Sequence, residues 1–389
     1  MRQDDSDDDD AVSLVSVETR GTMASEDADF YDTYTKGAGD EESLEEAIEE
    51  LTEKRTTTRV AALQKLHKIL LQYLPVEDVS ETFVSNVLTC LRRPTEEEAV
   101  TGANILAVMS LIFGSDDERF FQRAKHVLEP LAKSARNPKI KATAIQSLAM
   151  ICFVCAVEEE GADELLALLD KYFELKIAGP VCASALHAWG LIVSNFPDDH
   201  LSTTEFIDSY LPQFLVLLDH SDVEVRSAAG ENIALLFESA QKCGVTLPCD
   251  AEIVEKLRAM SKDSSKKNSK KDRKVQRSVF RDIHGTLANG ESPQVSFTVK
   301  NEQFDVSSWK SVIQFEAMKG FLRTGLQEHI KYNNALRHLI DLPDTLEDRA
   351  NDRRDVFDKK SASRKQRSNE IKGDRMRKQN LQEAFFDEY

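Results

Sequence analysis

The usual signatures of catalysis are missing from this 389-residue chain. It has no GxSxG, no Walker loop, no HExxH and no GxGxxG, and its 15 glycines are scattered rather than gathered into a phosphate-cradling loop. Composition and motif thus point to no enzyme, cofactor or small-molecule substrate. A secretory signal needs positive charge followed by an apolar stretch, but the first twenty residues carry an Asp run, so export is not expected. The most apolar window, 144–157, falls short of the about 20 residues a membrane helix requires and is interrupted by Gln146 and Ser147. It reads as a buried helix, and no membrane partner is expected. The six cysteines (Cys90, Cys152, Cys155, Cys182, Cys243, Cys249) fall mostly on apolar helix faces, which suits reduced thiols in the nucleus or cytoplasm. Cys152 and Cys155 form a CxxC, yet they sit i, i+3 in an apolar helix with no second CxxC and no nearby His to complete a zinc site. Their expected role is packing, and no metal is expected.

What the chain does have is repetition. A single helix pattern recurs at Arg59, Val100, Lys141, Cys182 and Arg226, at spacings of 41, 41, 41 and 44 residues. Three residues after each anchor stands alanine (Ala62, Ala103, Ala144, Ala185, Ala229), and seven after it an apolar residue (Leu66, Ala107, Leu148, Trp189, Ile233). That is helical periodicity, and a recurrence near 40 to 47 residues marks stacked helical hairpins in which a small residue lets neighbours approach closely. Between these B-type helices, the same spacing rule places A-type helices at 79–92, 119–134, 163–175, 203–218 and 251–260. Capping boxes at Ser43/Glu46 and Ser202/Glu205, and prolines in the first turns after Asn137 and Gly179, mark helix starts. The fold class expected is all-α: an armadillo/HEAT-like helical solenoid followed by a small, mainly helical C-terminal domain and a basic tail. Val295, Phe297 and Val299 alternate with polar residues after a turn signal and allow one small strand. Helices are expected again at 309–321 and 326–340.

Charge divides the chain further. Residues 1–53 hold 19 acidic and 3 basic side chains, so the net charge of -18 conceals two cationic stretches, 256–281 with 11 basic against 2 acidic and 349–378 with 12 against 5. Residues 1–42 lack any apolar period and are expected to be disordered. The remaining boundaries are 43–260 for the repeats, 261–274 for a basic Lys/Ser-rich linker, 275–342 for the C-terminal domain and 343–389 for a basic, inducibly helical tail. Within the linker, Lys266, Lys267, Lys270, Lys271, Arg273 and Lys274 suit an import receptor's acidic groove or RNA phosphates. In the tail, Arg364, Lys365, Arg367, Lys372, Arg375, Arg377 and Lys378 suit bidentate phosphate contacts and folding on structured RNA.

The stretch KVQRSVFRDI, a Trp309-centred helix, and a basic tail with the pair Phe385 and Phe386 together resemble the interferon-related developmental regulator family, although this chain departs from the family pattern by continuing past the pair with Asp387, Glu388 and Tyr389. The QRSVFRD motif is matched by Gln276, Arg277, Ser278, Val279, Phe280, Arg281 and Asp282, and in that family it opens a C-terminal domain behind an armadillo-like region. The resemblance implies a non-enzymatic regulator of gene expression. It would be a repeat adaptor whose basic C-terminal region associates with ribosomes or other RNA-protein surfaces to repress translation, or else a nuclear transcriptional co-regulator scaffold in differentiation. Further protein partners on the solenoid and residence in both cytoplasm and nucleus follow as expectations.

Overall fold

The computed structural model of the chain describes residues 40–342 apart from 116, 157–158, 248–250, 263–269 and 300–301. The acidic start up to residue 39 and the tail 343–389 lie outside the described residues, and so do Lys266 and Lys267. All described residues from Glu41 onward belong to one compact unit.

The repeats form as their periodicity requires. Helix α1 spans Asp40–Glu50, α2 Thr56–Leu71, α3 Glu81–Cys90, α4 Glu96–Phe113, α5 Glu118–Ser134, α6 Pro138–Cys155, α7 Glu159–Leu169, α8 Gly179–Val193, α9 Asp198–Leu201, α10 Thr204–Leu217 and α11 Val223–Lys242. The B-type helices α2, α4, α6, α8 and α11 pack in succession, and each of the last four also packs against the A-type helix before it. The five alanines at the repeat position are at most 1% exposed. A methyl group there lets two backbones approach; a larger side chain would force them apart and cost about 1–3 kcal/mol. Trp189 takes the place of Leu66 and Leu148 and is fully buried, with ring centroids of Phe214 at 4.7 Å and Tyr210 at 5.0 Å.

The arginine anchors have a local task. Arg59 Nη1 donates to the carbonyls of Glu53 and Lys54, and Arg226 Nη1 donates to those of His220 and Ser221, so each guanidinium ties down the loop entering its helix by the same pair of bonds. Arg59 also pairs at 2.7 Å with Glu98, itself 1% exposed and reciprocally bonded with Thr95 at the start of α4. That capping box had not been singled out from the sequence.

Several helix starts differ from expectation. Helix α1 begins at Asp40, so Ser43 lies within it and residues 40–42 are helical. At α10 the cap is Thr203, whose hydroxyl accepts from Phe206 N, while Ser202 Oγ donates to the Asp199 carbonyl. The intervening α9 shifts the frame by one residue. Helix α6 runs 18 residues and is long and apolar enough to cross a membrane by length and composition, which the shorter window 144–157 was not. Here it packs against α4, α5 and α8, and two-thirds of it is buried.

The largest correction concerns the boundary at 261–274. Helix α12 (Ala251–Lys262) extends past the expected end of the repeats, and α13 (Lys270–Asn289) begins inside the expected linker. The two pack on each other and α13 packs on α11, closing a sixth hairpin. A Lys-rich stretch folds here because Val279, Phe280 and Ile283, all nearly fully buried, give α13 an apolar edge. At Gly230 of α11 a Cβ would meet Ile283 Cδ1 at 2.7 Å, so a larger residue there would require the Ile283 side chain to shift.

Strands β1 (Gln294–Val299) and β2 (Glu302–Ser307) then form an antiparallel hairpin in which Val295 pairs Val306 and Phe297 pairs Phe304. Only the first strand had been anticipated. Helices α14 (Trp309–Leu322), α15 (Leu326–Tyr332) and α16 (Asn334–Leu339) follow, the expected single helix 326–340 being broken at Asn333, which caps α16. They do not make a separate domain. Helix α14 packs on α8, α11 and α4, α15 on α2, and α16 on α4.

Candidate interaction site

Two features of this unit are candidates for function: the cationic sixth hairpin, and the seam where the returning segment 309–339 meets the B-type helices. In the hairpin, Lys270, Lys271, Arg273 and Lys274 form the opening turns of α13. The motif residues follow directly. Gln276, Val279 and Phe280 are buried, Arg277 and Asp282 are half-buried, and Ser278 and Arg281 are exposed. The motif thus alternates between a packing edge and a solvent edge of one helix. The tail cations Arg364 to Lys378 lie outside the described residues, so the structure brings together only the linker cations and the motif.

At the other end of α13 the returning segment is locked by a polar node. Trp309 is fully buried, and its indole Nε1 donates to Thr286 Oγ1 at 2.8 Å. Its backbone N-H donates to Glu238 Oε2 at 2.9 Å, while Ser292 Oγ donates to Glu238 Oε1 at 2.6 Å and Lys242 closes a 3.2 Å ion pair with the same carboxylate. Glu238 is 3% exposed, and a buried carboxylate is tolerable only with such donors around it.

Beyond the node the segment crosses the C-terminal ends of B-type helices, where carbonyls lack intrahelical partners. Lys310 Nζ donates to Phe196 O at 2.7 Å and pairs with Asp198, holding that carboxyl below the ordinary range against the opposing effect of burial. Gln314 Nε2 donates to Ser194 Oγ, His329 Nε2 to Leu70 O at 2.9 Å, and Asn333 Nδ2 to Leu111 O at 2.8 Å. A carbonyl only accepts, so the His329 proton sits on Nε2 and Nδ1 faces Asn333 Nδ2 at 3.4 Å. Burial pushes this imidazole down to about 4, with the Leu70 bond opposing. Gly325 sits where a Cβ would meet Leu71 O at 2.0 Å, so only glycine admits α15 to this seat. Tyr73, with φ 63°, turns the chain there and lays its ring against Tyr332 and the edge of His329.

Neither CxxC cysteine has a free face. Cys152 and Cys155 are buried thiols, burial pushing Cys152 up to about 12, and Cys155 Sγ donates to the Gly114 carbonyl at 3.6 Å. Among the described residues no group of three His, Cys, Asp or Glu side chains could hold a metal ion. His187, half-buried on α8, is 3.0 Å from Glu224; burial lowers its pKa, but the carboxylate outweighs this and leaves it raised. Sequence reasoning missed the returning seam altogether. The one available signal was Trp309, a large residue opening a helix beyond the last repeat.

This architecture defines the chain as a helical-repeat protein that covers part of its own B-helix surface. By sequence it belongs to the interferon-related developmental regulator family, whose pattern matches residues 12–288. The matched stretch ends within α13, so the QRSVFRD motif stands at its close. The chain is 28% identical over 355 residues to interferon-related developmental regulator 2 of Mus musculus, covering 86% of this chain and 79% of the relative. It is 25% identical over 336 residues to interferon-related developmental regulator 1 of Homo sapiens, covering 78% and 73%. Among solved structures, a designed armadillo repeat protein overlaps 63% of this chain and 99% of its own at 16% identity with a TM-score of 0.39, too loose a match to bear on function.

Proposed function

We propose that this chain is a non-enzymatic adaptor that represses translation, its basic C-terminal segments occupying a ribosomal or other RNA-protein surface while the repeat stack holds protein partners. What supports the reading is family membership together with one observation: cationic sequence leads directly into a folded, packed helix, α13, rather than lying in a spacer between domains. Function of this kind is occupancy, not turnover. The tail supplies Arg-rich sequence for phosphate contacts, and neutralising six to ten phosphates would make affinity fall on the order of a thousandfold or more between 50 and 200 mM salt. Cosedimentation with ribosomes decides. The full chain is expected in the ribosomal fraction, and a chain truncated before Pro343 is expected to leave it; equal binding by both removes the tail from the account.

The relatives' name, developmental regulator, favours a second reading, a nuclear co-regulator scaffold with the Lys266 to Lys274 run serving import. Under that reading the protein fractionates as a soluble nuclear species whose complexes survive RNase. The adaptor acts in the cytoplasm and loses its partners on the same treatment.

A further inference from the structure

We infer that the loops entering α4 and α6 carry a phosphate-binding patch on one edge of the repeat stack, formed by Arg92, Arg93 and Arg136. The inference deepens the reading above: it rests on that reading for the kind of partner and gives it an anchor inside the folded unit, apart from the tail. All three side chains are exposed, and none makes a hydrogen bond or ion pair with any described residue. The two loops adjoin. Asn137 Nδ2 donates to Glu96 Oε2 at 2.6 Å, and Lys139 Nζ stands 4.0 Å from Glu96 Oε1. Arg136 precedes the donor by one residue and Arg93 precedes the acceptor by three, so these contacts bring the free guanidinium groups to neighbouring turns.

The carboxylates of these loops are mostly engaged. Glu96 is held by Asn137 and Lys139, Glu98 by Arg59 and Thr95, and Glu129 by Lys133. Glu97 is exposed and opposes the arginines without a partner among the described residues. Lys141 adds a further charge, its Nζ donating to the Lys133 carbonyl at 3.3 Å rather than to a carboxylate. The first turn of α6 holds no acidic residue, and Lys139 stands there against the positive end of the helix dipole, a placement that a bound anion offsets. The flanking loops differ. Lys54 and Arg55 are equally exposed, but Glu53 adjoins them and Glu49 and Glu50 end the helix before; Lys171 follows directly on Asp170. Arginine presents a planar fork that matches two oxygens of one phosphate. Packed helices stand about 8–10 Å apart and duplex nucleic acid carries one charge per about 1.7 Å of axis, so about six phosphates span the two loops. Such contacts hold a phosphodiester backbone without reading bases.

The test is fluorescence anisotropy of the full chain with a labelled 20-base-pair DNA duplex and with RNA of the same sequence, titrated against salt. Arg92→Gln, Arg93→Gln and Arg136→Gln together are expected to flatten the slope of log K against log salt by about 2 to 3, at about 0.9 per lost phosphate contact, with melting at the parental temperature. An unchanged slope overturns the patch. Lys54→Gln, Arg55→Gln and Lys171→Gln together remove the same charge, and equal flattening by that variant overturns the patch in favour of a net-charge effect. Gln at the seven tail cations separates the two anchors: residual binding that the three arginine substitutions then remove supports the patch, and no residual binding overturns it. If the full chain fails to cosediment with ribosomes while the arginine variant still flattens the duplex slope, the ribosomal reading falls and the patch stands. Tighter binding to RNA than to DNA names RNA as the ligand, equal binding assigns the shared backbone, and displacement by polyglutamate at equal charge overturns the phosphate assignment in favour of an acidic protein.

Discussion

The repeats and the returning segment are both helical and both buried, yet they are held by different means. Between Thr56 and Lys242 one pattern is used five times: small residue, apolar residue, and backbone bonds closed within each helix. The segment from Trp309 to Leu339 also has an apolar edge, with Trp309, Val312, Phe315, Met318 and Leu322 nearly fully buried, but its position is also set by the Trp309 backbone N-H and by side-chain donors reaching carbonyls and a carboxylate of other elements. Neighbouring repeats meet across about 40 residues of sequence. The seam meets across 71 at Glu238, 114 at Phe196, 222 at Leu111 and 259 at Leu70. A hydrogen bond lost in a dry seam leaves a polar group unpaired, so these donors help specify the seat of the returning segment.

The two tryptophans test this difference most severely. Trp189→Ala and Trp309→Ala each empty a fully buried site and are each expected to cost about 3–5 kcal/mol in urea unfolding. Hydrogen exchange then separates them. With Trp309→Ala, amides of α14 to α16 are expected to lose protection while those of α4 and α6 keep it, because the repeats close their own bonds. With Trp189→Ala, protection is expected to fall through α8, α10 and α11 together. Uniform loss in both variants would mean that the returning segment is part of the repeat core and not a docked element.

The same difference explains what the sequence disclosed. The repeats, their anchors and the alanine position were legible because helical periodicity and a fixed spacing are local signals. Val279, Phe280 and Ile283 bury one edge of α13 without the alanine of the repeats, and the charge content of Ser261 to Lys274 suggested a spacer where that short apolar edge was enough to pack a helix. The returning helices were legible at 309–321 and 326–340, but their pairing with the repeats left no periodic trace. Nothing near His329 announces that its partner is Leu70, and a lone histidine on an apolar face has no pattern to match. Of the candidate cations, Lys270, Lys271, Arg273 and Lys274 stand in the opening turns of a helix that charge content did not suggest, because the residues that pack α13 come later, at Val279, Phe280 and Ile283.

Acidification is the next lever, and it acts on one side of the comparison. His329 is neutral in the fold, its pKa pushed down to about 4 by burial against 6.5 when exposed. Between those values the unfolded chain binds a proton that the folded one refuses. Its contribution is therefore intact above pH 6.5 and is lost as pH falls toward 4, by up to about 3 kcal/mol. Undocking of 309–339 is expected to precede loss of the repeats over that window, monitored by hydrogen exchange at stepped pH. His329→Gln keeps a donor for the Leu70 carbonyl and is expected to flatten the dependence. His187 works in the opposite sense. Its pKa is raised beside Glu224, so its contribution is present below 6.5 and fades as pH climbs through the raised value.

The smallest expected effect sharpens the comparison at a single turn. Sequence reading chose Ser202 with Glu205 as the cap of α10; in the fold Thr203 accepts from Phe206 N and Ser202 bonds back to Asp199. Both residues lie in the same exposed turn and differ chiefly in whether their oxygen meets an orphan N-H of the helix. Thr203→Ala is expected to cost about 1 kcal/mol and Ser202→Ala no more than about half that, measured as urea midpoints at constant slope. A larger loss at Ser202 would restore the capping box read from the sequence, with α10 beginning one residue earlier. The local frame would then follow the motif, and the α9 turn would no longer set it.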